Sequence, residues 1–257
     1  MAVNFSPNNG LWVDSIKYRL VGLQNFLMLQ AVLFRNRKHL GSVNLERFGS
    51  GYGGWWVPVE IQTRLQNRTL VSAGLGFDTT FDEALLERGW SVIGIDPLEE
   101  CCEVAIRNLG RFSKVQILNV GLSVKNGFQR FYQPKNPIHD SWSTINAQFV
   151  VDPLSKQFPV ISLREIARNS AFVDAEFRYL KLDIEGAELA LFQESMDDFL
   201  DFDFLAVEID FLSLIPFRKF GLRTRRSWYM RKILRELNHD GWVLVHVEKT
   251  NFFWGKL

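Results

Sequence analysis

From Thr69 onward, short apolar runs alternate with segments whose apolar positions recur at helical spacing. TLVSA (69–73) predicts a strand, Thr80–Arg88 a helix and WSVIGID (90–96) a second strand, so the first unit reads as βαβ. Glu99–Leu109 predicts the next helix and Val115–Val120 the next strand, with Gly121–Ser123 and Gly127–Tyr132 forming a hairpin or extension around Asn126-Gly127. Ile161–Arg168 then reads as a helix, Arg178–Asp183 as a strand, Ala187–Phe192 as the start of a helix, Phe204–Glu208 as a buried strand and Trp228–Asn238 as a helix. Trp242–Glu248 and Asn251–Gly255 are close enough to pair as an antiparallel hairpin. Strands alternating with helices predict an α/β fold whose mostly parallel sheet is covered on both faces.

Three stretches break this pattern. Leu20–Phe34 is apolar but short of the ~20 residues that span a bilayer. It carries Gln24, Asn25 and Gln30 between basic flanks, and reads as an amphipathic helix. It packs on the domain, on a second subunit in a homodimer, or, with its basic flanks over residues 16–38, on an anionic membrane surface. ERFGSGYGGWWVP (46–58) holds too many glycines for a helix and reads as a loop, either a linker or a lid approaching a site closely. Gln133–Phe158 is long, polar and proline-containing, and reads as a substrate loop. The expected organisation is a helical extension and Gly/Trp-rich loop over residues 1–58, followed by one α/β domain over 59–257.

At 257 residues and 47% hydrophobic content the chain is of a size to bury one core, which disfavours a second full domain. Lys and Arg number 30 against 29 Asp and Glu, so no global charge draws the protein to nucleic acid. The basic run Arg218–Arg231 is either a solvated face or a contact for a phosphate-bearing acceptor. The two cysteines, Cys101 and Cys102, are adjacent, which suits neither a disulfide framework nor a zinc ribbon and fits a reducing, cytoplasmic compartment. Met1–Gly10 is polar, so no signal peptide is expected.

The chemistry concentrates at two strand ends. Gly74 and Gly76 directly follow the first strand, and Asp96 ends the second about twenty residues later. Glycines let a backbone approach a ligand closely, and a carboxylate there can accept both ribose hydroxyl protons. A dinucleotide fingerprint would carry a third glycine where Thr79 stands, so a pyrophosphate is disfavoured and an adenosyl group with an amino-acid tail fits better. The second end is YLKLDIEGAELALF (179–192), where Asp183, Glu185 and Glu188 fall in quick succession at the same expected sheet edge, with Glu208 one strand on. Glu188 suits the first turn of a helix. Oxygen ligands at Asp183, Glu185 and Glu208 could hold Mg²⁺, but their spacing is irregular and no metal is expected.

LKLDIEGAE closely resembles the signature of the FkbM family of methyltransferases, and NVGLS (119–123) resembles another of its segments. AGLGFD occupies the place of the family's first glycine motif, with Ser72-Ala73 where an acidic residue is common, a departure that bears on the methionine end of the cofactor. The resemblance covers about Val71 to Trp254. It implies a Rossmann-like class I methyltransferase fold, with a mostly parallel seven-stranded sheet ending in an antiparallel hairpin. It further implies S-adenosyl-L-methionine as cofactor and O-methylation of a carbohydrate or another hydroxylated small molecule.

Carried over by position, Ala73, Gly74, Gly76, Asp96 and Asp183 would hold the cofactor, with Asn119 or Val120 near the adenine. The general base would be Glu185 or Asp183, with His139 from the substrate loop as the alternative, or a carboxylate would only orient the acceptor hydroxyls. Tyr52, Trp55, Trp56 and Trp142 offer flat faces to a ring-shaped acceptor or anchor their own loops. Two other classes stay open at this stage: a methyltransferase-like binding module without catalysis, and another Rossmann enzyme.

Overall fold

A computed structural model describes residue 34, residues 37–134, 136, 140–145, 154–209 and 232–256. Most of the expected N-terminal helix, His139 and the Arg218–Arg231 run lie outside the described residues. In chain order the elements are β1 (Leu45–Phe48), β2 (Trp55–Pro58), α1 (Val59–Arg64), β3 (Arg68–Ala73), α2 (Thr80–Glu87), β4 (Ser91–Ile95), α3 (Glu99–Leu109) and β5 (Val115–Leu118). There follow β6 (Gly121–Leu122), β7 (Gly127–Tyr132), β8 (Ser155–Ile161), α4 (Leu163–Ile166), α5 (Ser170–Val173), β9 (Phe177–Leu182) and α6 (Glu188–Glu194). A 3₁₀ turn (Met196–Asp201) leads to β10 (Phe204–Glu208), residues 232–239 are helical, and β11 (Trp242–Glu248) and β12 (Asn251–Lys256) close the chain.

Seven strands form one sheet in the order β11-β12-β10-β9-β3-β4-β5. Each pairing from β10 through β9, β3 and β4 to β5 is parallel, while β12 runs antiparallel between β10 and β11. The expected end hairpin therefore forms, and its second strand inserts beside β10. All six residues of β3 are buried. Alternate positions point to opposite layers: Val71, Ala73, Leu180 and Leu182 enter a core with Leu191 and Phe192 of α6, and Leu70 and Tyr179 enter a second with Phe81 and Leu85 of α2. Covering both faces explains why these strands read as near-continuous apolar runs.

Three expectations change. The 46–58 stretch is a hairpin rather than a loop: β1 pairs with β2 antiparallel, leaving only residues 49–54 as its turn. Tyr179 Oη donates to the Trp56 carbonyl at 2.9 Å and Trp56 Nε1 donates to Glu248 Oε2 at 3.1 Å, which fastens the hairpin to β9 and β11. Residues 121–123 and 127–132 do not pair with each other. Both β6 and β7 pair with β8, a strand drawn from the end of the expected substrate loop. Pro159 disguises β8, yet it falls where only β7 is alongside, since β6 meets β8 at Val160 and Ile161 alone. The helix expected from Ile161 starts at Leu163, because the Ser162 side chain accepts from the Glu165 amide and caps it.

Cys101 and Cys102 are buried, unpaired thiols on α3. Burial pushes both up, Cys102 to about 11, so neither is a thiolate at neutral pH.

Candidate active site

The carboxyl ends of β3, β4, β9 and β10 open into a cleft of about 320 Å³, at the lower end of the ~300–1,000 Å³ range of small-molecule sites. Its floor is the turn after β3. Gly74 and Gly76 have φ of 80° and 57°, in the left-handed region that favours glycine. A Cβ on Gly74 would stand 1.7 Å from the Asp183 carbonyl oxygen, so only glycine lets the ends of β3 and β9 come this close.

Asp96 faces this turn from the end of β4. Its Oδ2 accepts from the Leu75 and Gly76 amides at 3.0 and 3.1 Å, and its Oδ1 from the Leu98 amide at 2.9 Å. Burial raises its pKa, and the three amides pull the other way. The carboxylate thus sets the shape of the turn while lining the cleft beside it.

Asp183 ends β9, and the chain then turns through Glu185 at φ 54° and Gly186 at φ 95°. A left-handed glutamate is strained by roughly 1 kcal/mol or more, and such strain gathers at functional sites. Ser143 Oγ donates to the Glu185 carbonyl at 2.5 Å, which ties the 140–145 segment over this turn. Burial raises the Glu185 pKa to about 7; the Ser141 hydrogen bond opposes it, and the charges of Asp183, Glu208 and Asp140 add to it. Glu208 at the end of β10 is raised by burial and then by Asp183, while its Oε1 accepts from Thr250 Oγ1 at 2.8 Å.

The β1–β2 turn forms the outer wall. Ser50 Oγ donates to Asp78 Oδ2 at 2.5 Å and the Ser50 amide donates to Thr80 Oγ1 at 2.8 Å, pinning this turn to the segment that follows the glycines. Tyr52 is 94% exposed but lines the cleft with Trp55. A smaller cavity, about 40 Å³, shares Gly74, Asp96, Asp140, Asp183 and Glu185 with the cleft and adds the apolar side chains of Ile95, Pro97, Leu122, Phe131 and Trp142.

The expected residues Gly74, Gly76, Asp96, Asp183 and Glu185 are therefore brought together. Ala73 is fully buried in β3 and lines neither cavity. Asn119 and Val120 also lie off both cavities: Asn119 Nδ2 donates to the Asp96 and Pro97 carbonyls at 3.2 Å each, bracing the β4–α3 loop from behind, and Val120 packs on the core. Glu188 is wholly buried in the first turn of α6. Sequence reasoning assigned no role to Lys181, Asp140, Ser141, Lys249, Thr250 or Asn251, all of which line the larger cleft. Only Lys181 carried a signal, as a lone charge inside an apolar strand. Among the described residues there is no group of three side chains suited to a metal, and no helix is long and apolar enough to cross a membrane.

A doubly wound sheet with one antiparallel strand next to its edge, a glycine turn after the first central strand and an acid ending the next define a Rossmann-like, S-adenosylmethionine-dependent methyltransferase fold. The chain belongs to the FkbM methyltransferase family: the Methyltransferase FkbM domain matches residues 67–240. Its cofactor is S-adenosylmethionine. No curated protein matches. Among solved structures, the chain is similar to the METTL16 MTase domain (11% identity, 76% of this chain and 60% of that one, TM-score 0.39). It is also similar to the N-terminal domain of human METTL16 in complex with SAH (11%, 76% and 63%, TM-score 0.38) and to the Methanococcus jannaschii fibrillarin pre-rRNA processing protein (8%, 83% and 82%, TM-score 0.41). The chain thus spans less than two thirds of the METTL16 domains it matches. Scores below 0.5 leave the fold assignment to the family match and the strand order.

Proposed function

We propose that this chain is an O-methyltransferase acting on a hydroxyl of a carbohydrate or hydroxylated natural product. The observation that carries this reading is Glu185, a cleft-lining carboxyl raised to about 7, at the same sheet edge as the glycine turn and Asp96. The glycine turn, Asp96 and the smaller cavity would hold S-adenosylmethionine, which supplies the electrophilic methyl group. An alcohol oxygen must lose its proton as it is alkylated, and a base whose pKa lies near the working pH does this best. Glu185 takes that proton. Asp183 and Glu208 accept hydrogen bonds from neighbouring hydroxyls and so fix which oxygen is presented. The exposed Tyr52 ring gives a sugar-like ring a face to lie on.

The test is methyl transfer from S-adenosylmethionine to a panel of free and lipid-free oligosaccharides and hydroxylated natural products, followed across pH. Below about 7 Glu185 holds its proton and cannot accept another, so kcat/KM for the productive acceptor should rise with pH through about 7. Glu185→Gln should lower kcat by about 10²–10⁴-fold and flatten that rise. A variant that keeps its turnover, or a wild-type profile flat across neutrality, would remove Glu185 from the base role.

A further inference from the structure

The cleft is lined by six carboxylates, Asp78, Asp96, Asp140, Asp183, Glu185 and Glu208, against two cations, Lys181 and Lys249. The cofactor carries a carboxylate of its own, on the amino-acid tail. In so acidic a cleft that group needs a cation close to where the tail lies. Lys181 stands at the glycine turn: its Nζ donates to the Gly74 carbonyl at 2.5 Å, lies 3.7 Å from Asp183 Oδ2 and sits 5.3 Å from the centre of the Trp55 ring.

Lys181 is only 5% exposed. Asp82 of α2 is buried on the same side of the sheet as Ser72, its carboxyl raised by burial and held down first by the Lys181 charge. An ammonium has three N–H donors. The Gly74 carbonyl takes one, and Asp183 Oδ2 is beyond hydrogen-bond length, so the ammonium retains capacity for an anion in the cleft.

We propose that Lys181 is the residue that binds the carboxylate of the cofactor's amino-acid tail. This assigns the methionine end to a lysine of β9. It is independent of the acceptor: failure of the O-methylation reading would leave it untouched.

Decarboxylated S-adenosylmethionine keeps the nucleoside, the sulfonium and the amine and lacks only the carboxylate, so comparing it with S-adenosylmethionine isolates that group. Calorimetric titration of the intact wild-type chain should show S-adenosylmethionine bound about tenfold to hundredfold more tightly. In Lys181→Met this preference should shrink to within about twofold, chiefly through weaker binding of S-adenosylmethionine, which is the coupling a double-mutant cycle reads. Removing a buried cation can strand nearby carboxyl groups, so Lys181→Met/Asp82→Asn, which also makes the buried Asp82 neutral, is titrated alongside and should give the same loss of preference. Lys249→Ala should keep the wild-type preference. The proposal is overturned if Lys181→Met loses both ligands in equal proportion, which would make Lys181 only a prop for the Gly74 turn, or if Lys249→Ala is the variant that loses the preference.

Discussion

Around Gly74 the cleft is assembled from the ends of buried strands, and around Tyr52 from turns laid over them. In the first region the glycine turn is held by other elements: Asp96 takes the Leu75 and Gly76 amides, Lys181 holds the Gly74 carbonyl, and the carbonyl of Asp183 occupies the space a side chain at 74 would need. In the second, residues 49–54 touch the glycine segment through Ser50 and expose Tyr52 almost completely. The family match begins at residue 67 and so contains the first region and not this turn. The contrast is physical. A cofactor common to many reactions suits a frame of buried strand ends, and under the proposed function the acceptor would meet turns that can change without disturbing the sheet.

The largest expected effect comes from breaking the frame of strand ends. Gly74→Ala forces a methyl group onto the Asp183 carbonyl and a left-handed alanine, and should cost about 3 kcal/mol or more of stability, seen as a lower thermal midpoint, together with the loss of S-adenosylhomocysteine binding. A variant with wild-type stability would mean that β3 and β9 can separate.

A smaller effect is expected at Asp96. Asp96→Ala unpairs three amides and removes the carboxylate expected to meet the ribose, so S-adenosylhomocysteine affinity should fall by roughly thirtyfold to a hundredfold in calorimetric titration. Unchanged affinity would confine Asp96 to shaping the turn.

The smallest effect on the frame is expected from Tyr52→Ala, a change at an exposed turn. S-adenosylhomocysteine affinity should stay within about twofold and stability within about 0.5 kcal/mol, while KM for a ring-shaped acceptor rises several-fold. A loss of cofactor affinity as large as that of Asp96→Ala would place the turn in the cofactor half and erase the distinction drawn between the two regions.

Strands β3, β4, β9 and β10 were legible because burial on both faces leaves long apolar runs with few alternatives. The glycines and acids at their ends were legible for a related reason: a polar residue ending such a run falls at the sheet edge, where ligands bind in this architecture. Strands β1, β2 and β8 were not, since β1 and β2 flank a glycine-rich turn and β8 is largely solvent-exposed and contains Pro159. Position after a strand does not reveal whether a side chain lines the cleft or braces a loop, and Asn119 donates to the Asp96 and Pro97 carbonyls.

The sequence by itself determined the layered α/β fold, through local periodicity, and the family and cofactor, through short motifs that resemble those of a known family; it also led to the sheet edge at which the candidate site lies. Only the tertiary structure decided which charges meet. Lys181 lies 107 residues from Gly74 in the chain, and Asp82 and Trp55 come from different elements again. The raised Glu185 likewise depends first on its burial and then on the charges of Asp183, Glu208 and Asp140, the last two arriving from separate segments. Burial and electrostatic coupling are properties of packed neighbours, and no spacing along the chain encodes them.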